Sequence, residues 1–184
     1  MVVIVVIALR LAGLRVAIFT AAALAYLAFM GLWEMSMITV ALIGTGAFLC
    51  VLFGIPLGIW FGKSSRAYRF AEPILDFMQT MPAFVYLIPI IAFFGTGKPP
   101  GVLATIIFAM PPVIRLTALG MRGVSETTKE AAVAFGCSRW QLLRNVELPL
   151  AMPSIMTGIN QTILMSLSMV CLLYTSPSPR DVEE

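Results

Sequence analysis

The sequence predicts an all-α integral membrane protein, and three observations carry that prediction. Apolar residues make up 60% of the 184 residues, charged residues 11%, and mean hydropathy is +0.97. A soluble domain carries roughly 45–50% apolar and about 25% charged residues, so this chain has too little charge to cover a wetted surface. The apolar residues fall in long runs without two-residue alternation, which points to helices rather than a barrel. The basic residues cluster in every second connection between the runs, as membrane topology demands.

Taken in order, Met1 to Leu9 is apolar but too short to span, since a span needs about 20 residues. It has no basic leader and no clear cleavage site, so it reads as the end of an earlier span rather than as a signal peptide. Val16–Trp33 is the first near-complete run and Met37–Phe61 the second. Ala83–Phe94 is a short third, interrupted by Pro89. Val102–Leu119 is a fourth, interrupted by Pro111 and Pro112, and Met152–Val170 is a fifth. About five spans are therefore expected.

Charge orients them. Arg10 and Arg15 lie in one connection; Lys63, Arg66 and Arg69 lie two crossings on; Arg115, Arg122, Lys129, Arg139 and Arg144 lie two crossings after that. All ten fall on one side, and only Lys98 falls on the other, with Glu34. The ten mark the cytoplasmic face. Between them, Gly54, Gly58 and Gly62 recur every fourth residue on one helix face, where small residues let a neighbouring helix approach. Pro56 sits among them as a candidate kink.

The absences are also informative. With no histidine, a histidine triad, a haem histidine and a mixed His/Cys zinc site are excluded. Cys50, Cys137 and Cys171 form no Cys-x-x-Cys pair and no disulfide framework, and Cys50 reads as a small core residue. No metal site and no nucleic-acid partner are expected. Gly95-Thr96-Gly97-Lys98 hints at a phosphate loop, but residue 92 is Ala92 rather than glycine and Pro99 follows the lysine. Glu34 and Asp76 offer no paired catalytic geometry, so no enzymatic activity is expected.

The apolar pattern stops near Tyr174. Cys171 to Asp181 reverse-translates, in frame, into a sequence resembling a transposase adapter used in sequencing libraries. The expectation is that residues 171–184 are a foreign tail and that the native sequence diverges after Val170.

The segment 122–149 is the longest polar stretch and carries helix punctuation. Thr127 and Glu130 fit a capping box, and Gly136 sits where a left-handed helix terminus wants glycine. Ser138 and Gln141 fit a second capping box, and Pro149 is expected to stop that helix before the next span. Two short helices with a tight bend are predicted across the cytoplasmic ends of the spans.

Glu130-Ala131-Ala132, then Gly136, then Val146-Glu147-Leu148-Pro149, resembles the EAA loop of ABC importer permeases, with matching spacing. Val146 stands where that family usually has isoleucine. A second stretch, Met78 to Pro89, resembles the permeases for glycine betaine, proline betaine, carnitine and choline, as do Pro111 to Thr117 and Leu148 to Gln161. The resemblance covers roughly Trp33 to Val170. It implies a type I ABC importer transmembrane domain at 34–170, after an N-terminal partial span and first span at 1–33, with the last core helix missing. It further implies a multi-pass protein of the bacterial inner membrane. Its partners would be a cytoplasmic ABC ATPase subunit, a second permease copy as a homodimer, and an extracytoplasmic substrate-binding protein. ATP would be bound by the ATPase partner, with no cofactor in this chain. Glu130, Ala131, Ala132, Gly136, Leu148 and Pro149 would form the coupling element, the two alanines giving a flat face that enters a groove on the ATPase.

Broken helices and polar residues inside spans guide the search for a substrate pathway. The Pro82–Pro89 and Pro111-Pro112 segments qualify as breaks. Asn160 and Gln161, with Thr157, Thr162 and Ser166 nearby, either line a pore or act as interhelical hydrogen-bond glue. A quaternary ammonium cargo suits aromatic faces, so Phe84, Tyr86, Phe93 and Phe94 are candidates, Tyr86 foremost, with Gln79 beside them. Two rival readings remain: an ABC permease for another cargo such as an amino acid, and a channel or structural membrane subunit.

Overall fold

The computed structural model describes residues 13–95 and 98–175, together with Val6, Leu9 and Arg10. Of the expected foreign tail, 176–184 lie outside these residues, and Cys171 to Thr175 continue the last helix. Thr96 and Gly97 of the rejected phosphate-loop segment also lie outside them. The chain divides into two compact units, Met1–Ala41 and Leu42–Glu184. The division falls inside a helix, whereas the expected boundary at 33/34 coincides with that helix's start.

In the first unit, α1 (Leu14–Phe29) is a 16-residue apolar helix entered at Gly13, with φ 85°, and left at Gly31, with φ 71°. That left-handed glycine ends the first apolar run short of Trp33. The next helix, α2 (Trp33–Lys63), runs for 31 residues with Pro56 inside it, and its part beyond Leu42 belongs to the second unit.

The second unit is a bundle built on α5 (Lys98–Arg122) and α8 (Leu148–Thr175), the most extensively paired helices. The glycine stripe of α2 lies directly on α5. A Cβ on Gly54 would stand 2.4 Å from Val113 Cγ1, one on Gly58 2.6 Å from Thr117 Cβ, and one on Gly62 2.6 Å from Met121 Cβ. Only glycine permits that approach, so the spacing read from sequence is a packing seam. Around it, Met121, Ala151 and Ile155 form one buried cluster with Ile55 and Ile59, and Ala71, Leu75 and Ile114 form another.

Between α2 and α5 the chain forms α3 (Ser65–Thr80) and α4 (Ala83–Phe94), bent by 87° at Met81-Pro82. Pro82 lacks an N–H and forces Met81 into an extended conformation, ψ 134°, so the helix cannot run through. The sequence places the start of α3 in a basic connection. It is a helix capped by Ser64, whose hydroxyl accepts from Ala67 N at 3.3 Å, with Tyr68, Ala71 and Leu75 on its buried face. An apolar-run search passes over such a one-faced helix because its other face is polar.

Among the described residues three helices are long and apolar enough to cross a membrane: Trp33–Lys63, Pro99–Arg122 and Arg139–Leu172. The α3–α4 pair makes a fourth if counted as one broken span, and α1 is a shorter apolar helix.

Two expected interruptions are absent. Pro111 and Pro112 are buried inside a continuous α5, and Pro89 lies inside α4. Each proline leaves a carbonyl without its helical donor, and beside Pro111 and Pro112 two flanking helices bond to neighbouring carbonyls. Thr162 Oγ1 donates to Ala109 O at 3.1 Å, and Cys50 Sγ lies 3.6 Å from Ile106 O.

Candidate coupling loop and membrane pathway

The loop follows α5 after a turn at Gly123. Its first helix, α6 (Glu126–Ala134), is capped by Ser125, whose hydroxyl accepts from Thr128 N at 3.3 Å. The cap is therefore Ser125 and not the Thr127/Glu130 box. Ser125 starts the helix two residues earlier and places Glu126, rather than Glu130, in the favourable first turn. Glu126 pairs with Lys129 at 3.0 Å. Glu130 is left exposed with Ala131, while Ala132 is half-buried.

The exit from α6 follows from Gly136. Its φ of +86° turns the chain so that Gly136 N donates to Val133 O at 2.9 Å and Cys137 N to Ala132 O at 3.1 Å. This pair of bonds is the Schellman closure of a helix end. One residue later Ser138 begins α7 (Arg139–Leu142) with a full capping box: its hydroxyl accepts from Gln141 N, and Gln141 Oε1 accepts from Ser138 N at 2.8 Å. Phe135, 91% exposed, Trp140, 67% exposed, and Val133 thus lie on the loop's surface. The sequence reading missed these apolar side chains, although Phe135 adjoins the glycine that turns them outward.

Pro149 does not stop the helix. Leu143–Glu147 forms a π turn, in which Leu148 N reaches back to Leu143 O, and α8 continues from Leu148 through Pro149. A proline clashes with the carbonyl four residues before it, and the wider turn relieves that clash without ending the helix. Leu148 packs with Met121, Ala151 and Ile155.

Lys63, Ser65, Arg122, Lys129, Arg139, Glu126 and Glu147 line a cleft of about 500 Å³ at this end of the second unit. Four of the cations that the charge pattern assigned to one side thus converge. Lys98 begins the helix that Arg122 ends, so it lies a full α5 length away.

The pathway candidates separate. Asn160, Gln161 and Thr157 lie on the exposed face of α8, whereas Thr162 and Ser166 are buried and hydrogen-bonded within the bundle. The glue reading therefore holds for Thr162, while Asn160 and Gln161 are exposed. Gln79 Oε1 accepts from Arg115 Nη1 at 3.0 Å, and Arg115 also pairs with Asp76. This polar knot between α3 and α5 was not read from the sequence, because its members lie far apart along the chain. Tyr86 donates its hydroxyl to Met78 O at 2.8 Å, across the Met81-Pro82 break, and its ring tilts against Phe108 at 6.0 Å. Phe84 is exposed, as are Phe93 and Phe94.

This bundle, with its broken helix pair and its capped loop between α5 and α8, can be compared with known proteins. Residues 54–175 match the family of the binding-protein-dependent transport system inner membrane component. The chain belongs to that family. It is 48% identical over 166 residues to the glycine betaine/proline betaine transport system permease protein ProW of Escherichia coli, covering 90% of this chain and 47% of that protein. It is 51% identical over 140 residues to the glycine betaine/carnitine transport permease protein GbuB of Listeria monocytogenes, covering 76% and 50%. It is 44% identical over 164 residues to the glycine betaine transport system permease protein OpuAB of Bacillus subtilis, covering 89% and 58%. The chain spans about half the length of these curated relatives. As a family member with several membrane-length helices, it is an inner-membrane transport component.

Proposed function

We propose that the chain is the permease subunit of an ATP-driven importer for quaternary amines of the glycine betaine, proline betaine and choline type. It works beside a separate ATPase, a second permease copy and an extracytoplasmic binding protein, and ATP is bound and hydrolysed on the ATPase. The observation that carries the reading is the loop at 122–149. Glu130, Ala131 and Ala132 sit on a short helix locked at both ends, by Ser125 and by the Gly136 closure. Exposed Val133, Phe135 and Trp140 extend it with apolar surface near a cleft lined by charged side chains. A rigid apolar projection of this kind suits a groove on a cytoplasmic subunit. Leu148 and Pro149 join the projection to α8 through the π turn, so a push on the loop reaches the bundle.

The cargo reading is supported by the relatives' names and by Tyr86, whose ring lies at the helix break where a cation would meet aromatic faces. Gln79, Phe84, Asn160 and Gln161 are the other proposed pathway residues. A neighbouring cargo has a specific observation in its favour: a permease of Pelagibacter ubique named for trimethylamine N-oxide is 39% identical over 163 residues.

The test is uptake by the assembled importer in vesicles, with ATP inside and labelled glycine betaine outside. ATP-dependent uptake that excess choline or proline betaine suppresses, and excess methionine does not, is the expected result. Uptake suppressed only by trimethylamine N-oxide moves the cargo. Flux that needs no ATPase identifies a channel instead.

A further inference from the structure

We infer that Glu147 and Lys63 form the latch through which the loop moves the membrane helices; the inference rests on the permease reading above. Glu147 is the last residue of the π turn and is buried, 8% exposed, although it carries a charge. Its Oε2 lies 3.8 Å from Lys63 Nζ, at the very end of α2. Three ion pairs occur among the described residues, and this one alone ties the loop segment to another helix. Removing one partner of a buried ion pair leaves the other charge uncompensated, which is costly.

The π turn explains why the carboxylate faces inward. One extra residue in the turn rotates a side chain by about 100° relative to an uninterrupted α-helix. The wider turn precedes Pro149, and its last residue, Glu147, lines the cleft. Lys63 in turn is well placed to transmit a pull. Gly62 beside it lies against Met121 of α5, and Ser64 after it caps α3. A displacement of the loop therefore acts at once on the end of α2, on its seam with α5, and on the start of the broken helix pair. Arg122 and Arg139 in the same cleft keep the pocket positive around Glu147, and Glu126 is occupied by Lys129. Arg122 itself lies over the Tyr68 ring at 4.4 Å, which leaves Lys63 as the carboxylate's ion-pair partner.

Glu147 and Lys63 are positioning residues, since neither need touch cargo or nucleotide. The experiment measures cargo taken up per ATP hydrolysed by the full-length permease assembled with its ATPase and binding protein in vesicles. Glu147→Gln and Lys63→Met each lower that ratio, by about tenfold if the pair carries a typical coupling free energy. The exchange Lys63→Glu with Glu147→Lys restores it. Where the exchanged chain does not assemble, Glu147→Asp and Lys63→Arg decide: both keep the charges and are expected to keep the ratio. A ratio unchanged in the neutral variants overturns the latch, as does a ratio equally low in the charge-keeping ones. A wild-type assembly that takes up no cargo with ATP overturns the permease reading, and the latch with it.

Discussion

Thr162 on α8 donates its hydroxyl to the carbonyl of Ala109 on α5, at 3.1 Å and with Thr162 fully buried. The bond joins the two most extensively paired helices just before Pro111 and Pro112. Thr117, about two turns beyond Ala109 on α5, is equally buried, but its hydroxyl has no hydrogen-bond partner among the described residues. Valine has nearly the same shape as threonine, so the two positions predict opposite signs. Thr162→Val is expected to lower stability by about 1 kcal/mol, the range of interhelical hydrogen bonds in membranes. Thr117→Val is expected to be neutral or to stabilise by up to ~1 kcal/mol, because an orphan hydroxyl is removed. Thermal unfolding of the two variants in one detergent compares them directly.

The α2–α5 seam predicts a steep size dependence. At Gly58 a Cβ would stand 2.6 Å from Thr117 Cβ and 2.8 Å from the Ile114 carbonyl, and backbone cannot yield as a flexible side chain does. Gly58→Leu is expected to prevent a folded, monodisperse chain. Gly44 has nothing within 4 Å of its Cβ position, so Gly44→Leu serves as the matched control and is expected to fold normally. Size-exclusion profiles of the two variants test the contrast.

Gly136 predicts a local cost with a functional readout. A left-handed backbone costs a residue with a Cβ about 1–2 kcal/mol, so Gly136→Ala is expected to loosen the closure of α6 by that order. Asparagine tolerates the region better, and Gly136→Asn is expected to be milder. Under the proposed function, ATP hydrolysis by the assembled importer responds less to cargo in the alanine variant than in the asparagine one. Equal responses in both would remove Gly136 from the coupling element.

Tyr86 separates ring from hydroxyl. Its hydroxyl spans the helix break and its ring packs on Phe108. Tyr86→Phe is expected to cost about 1 kcal/mol of stability through the lost hydrogen bond while retaining uptake. Tyr86→Ala is expected to slow uptake as well. If phenylalanine slows uptake as much as alanine does, the hydroxyl's hold on Met78, and not an aromatic face, is what transport needs.

Much of the bundle was readable residue by residue. The Gly54, Gly58 and Gly62 spacing named the seam, and Ser138 with Gln141 named the start of α7. Gly136 named the exit from α6 because a left-handed turn admits few other residues. The cap of α6 was misplaced because Ser125, Thr127 and Thr128 all have capping chemistry, and local sequence does not rank them. The start of α3 was passed over because its polar face hides an apolar one, which becomes visible only where Tyr68, Ala71 and Leu75 meet their neighbours.

Composition and charge order by themselves determined that this is a helical membrane chain, where its apolar segments lie, and which short helices punctuate its polar loop. These follow from local physics: solvent transfer, backbone geometry and capping. The tertiary structure decided which proline breaks a helix and which is carried through. Pro82 breaks one, with Met81 forced into an extended conformation, while Pro111 and Pro112 lie buried where Thr162 reaches the adjoining backbone. It also decided that Arg115 meets Asp76 and Gln79, and that Glu147 meets Lys63. Such pairings depend on how far each helix is rotated about its axis, a quantity fixed by neighbouring helices and by no single stretch of sequence.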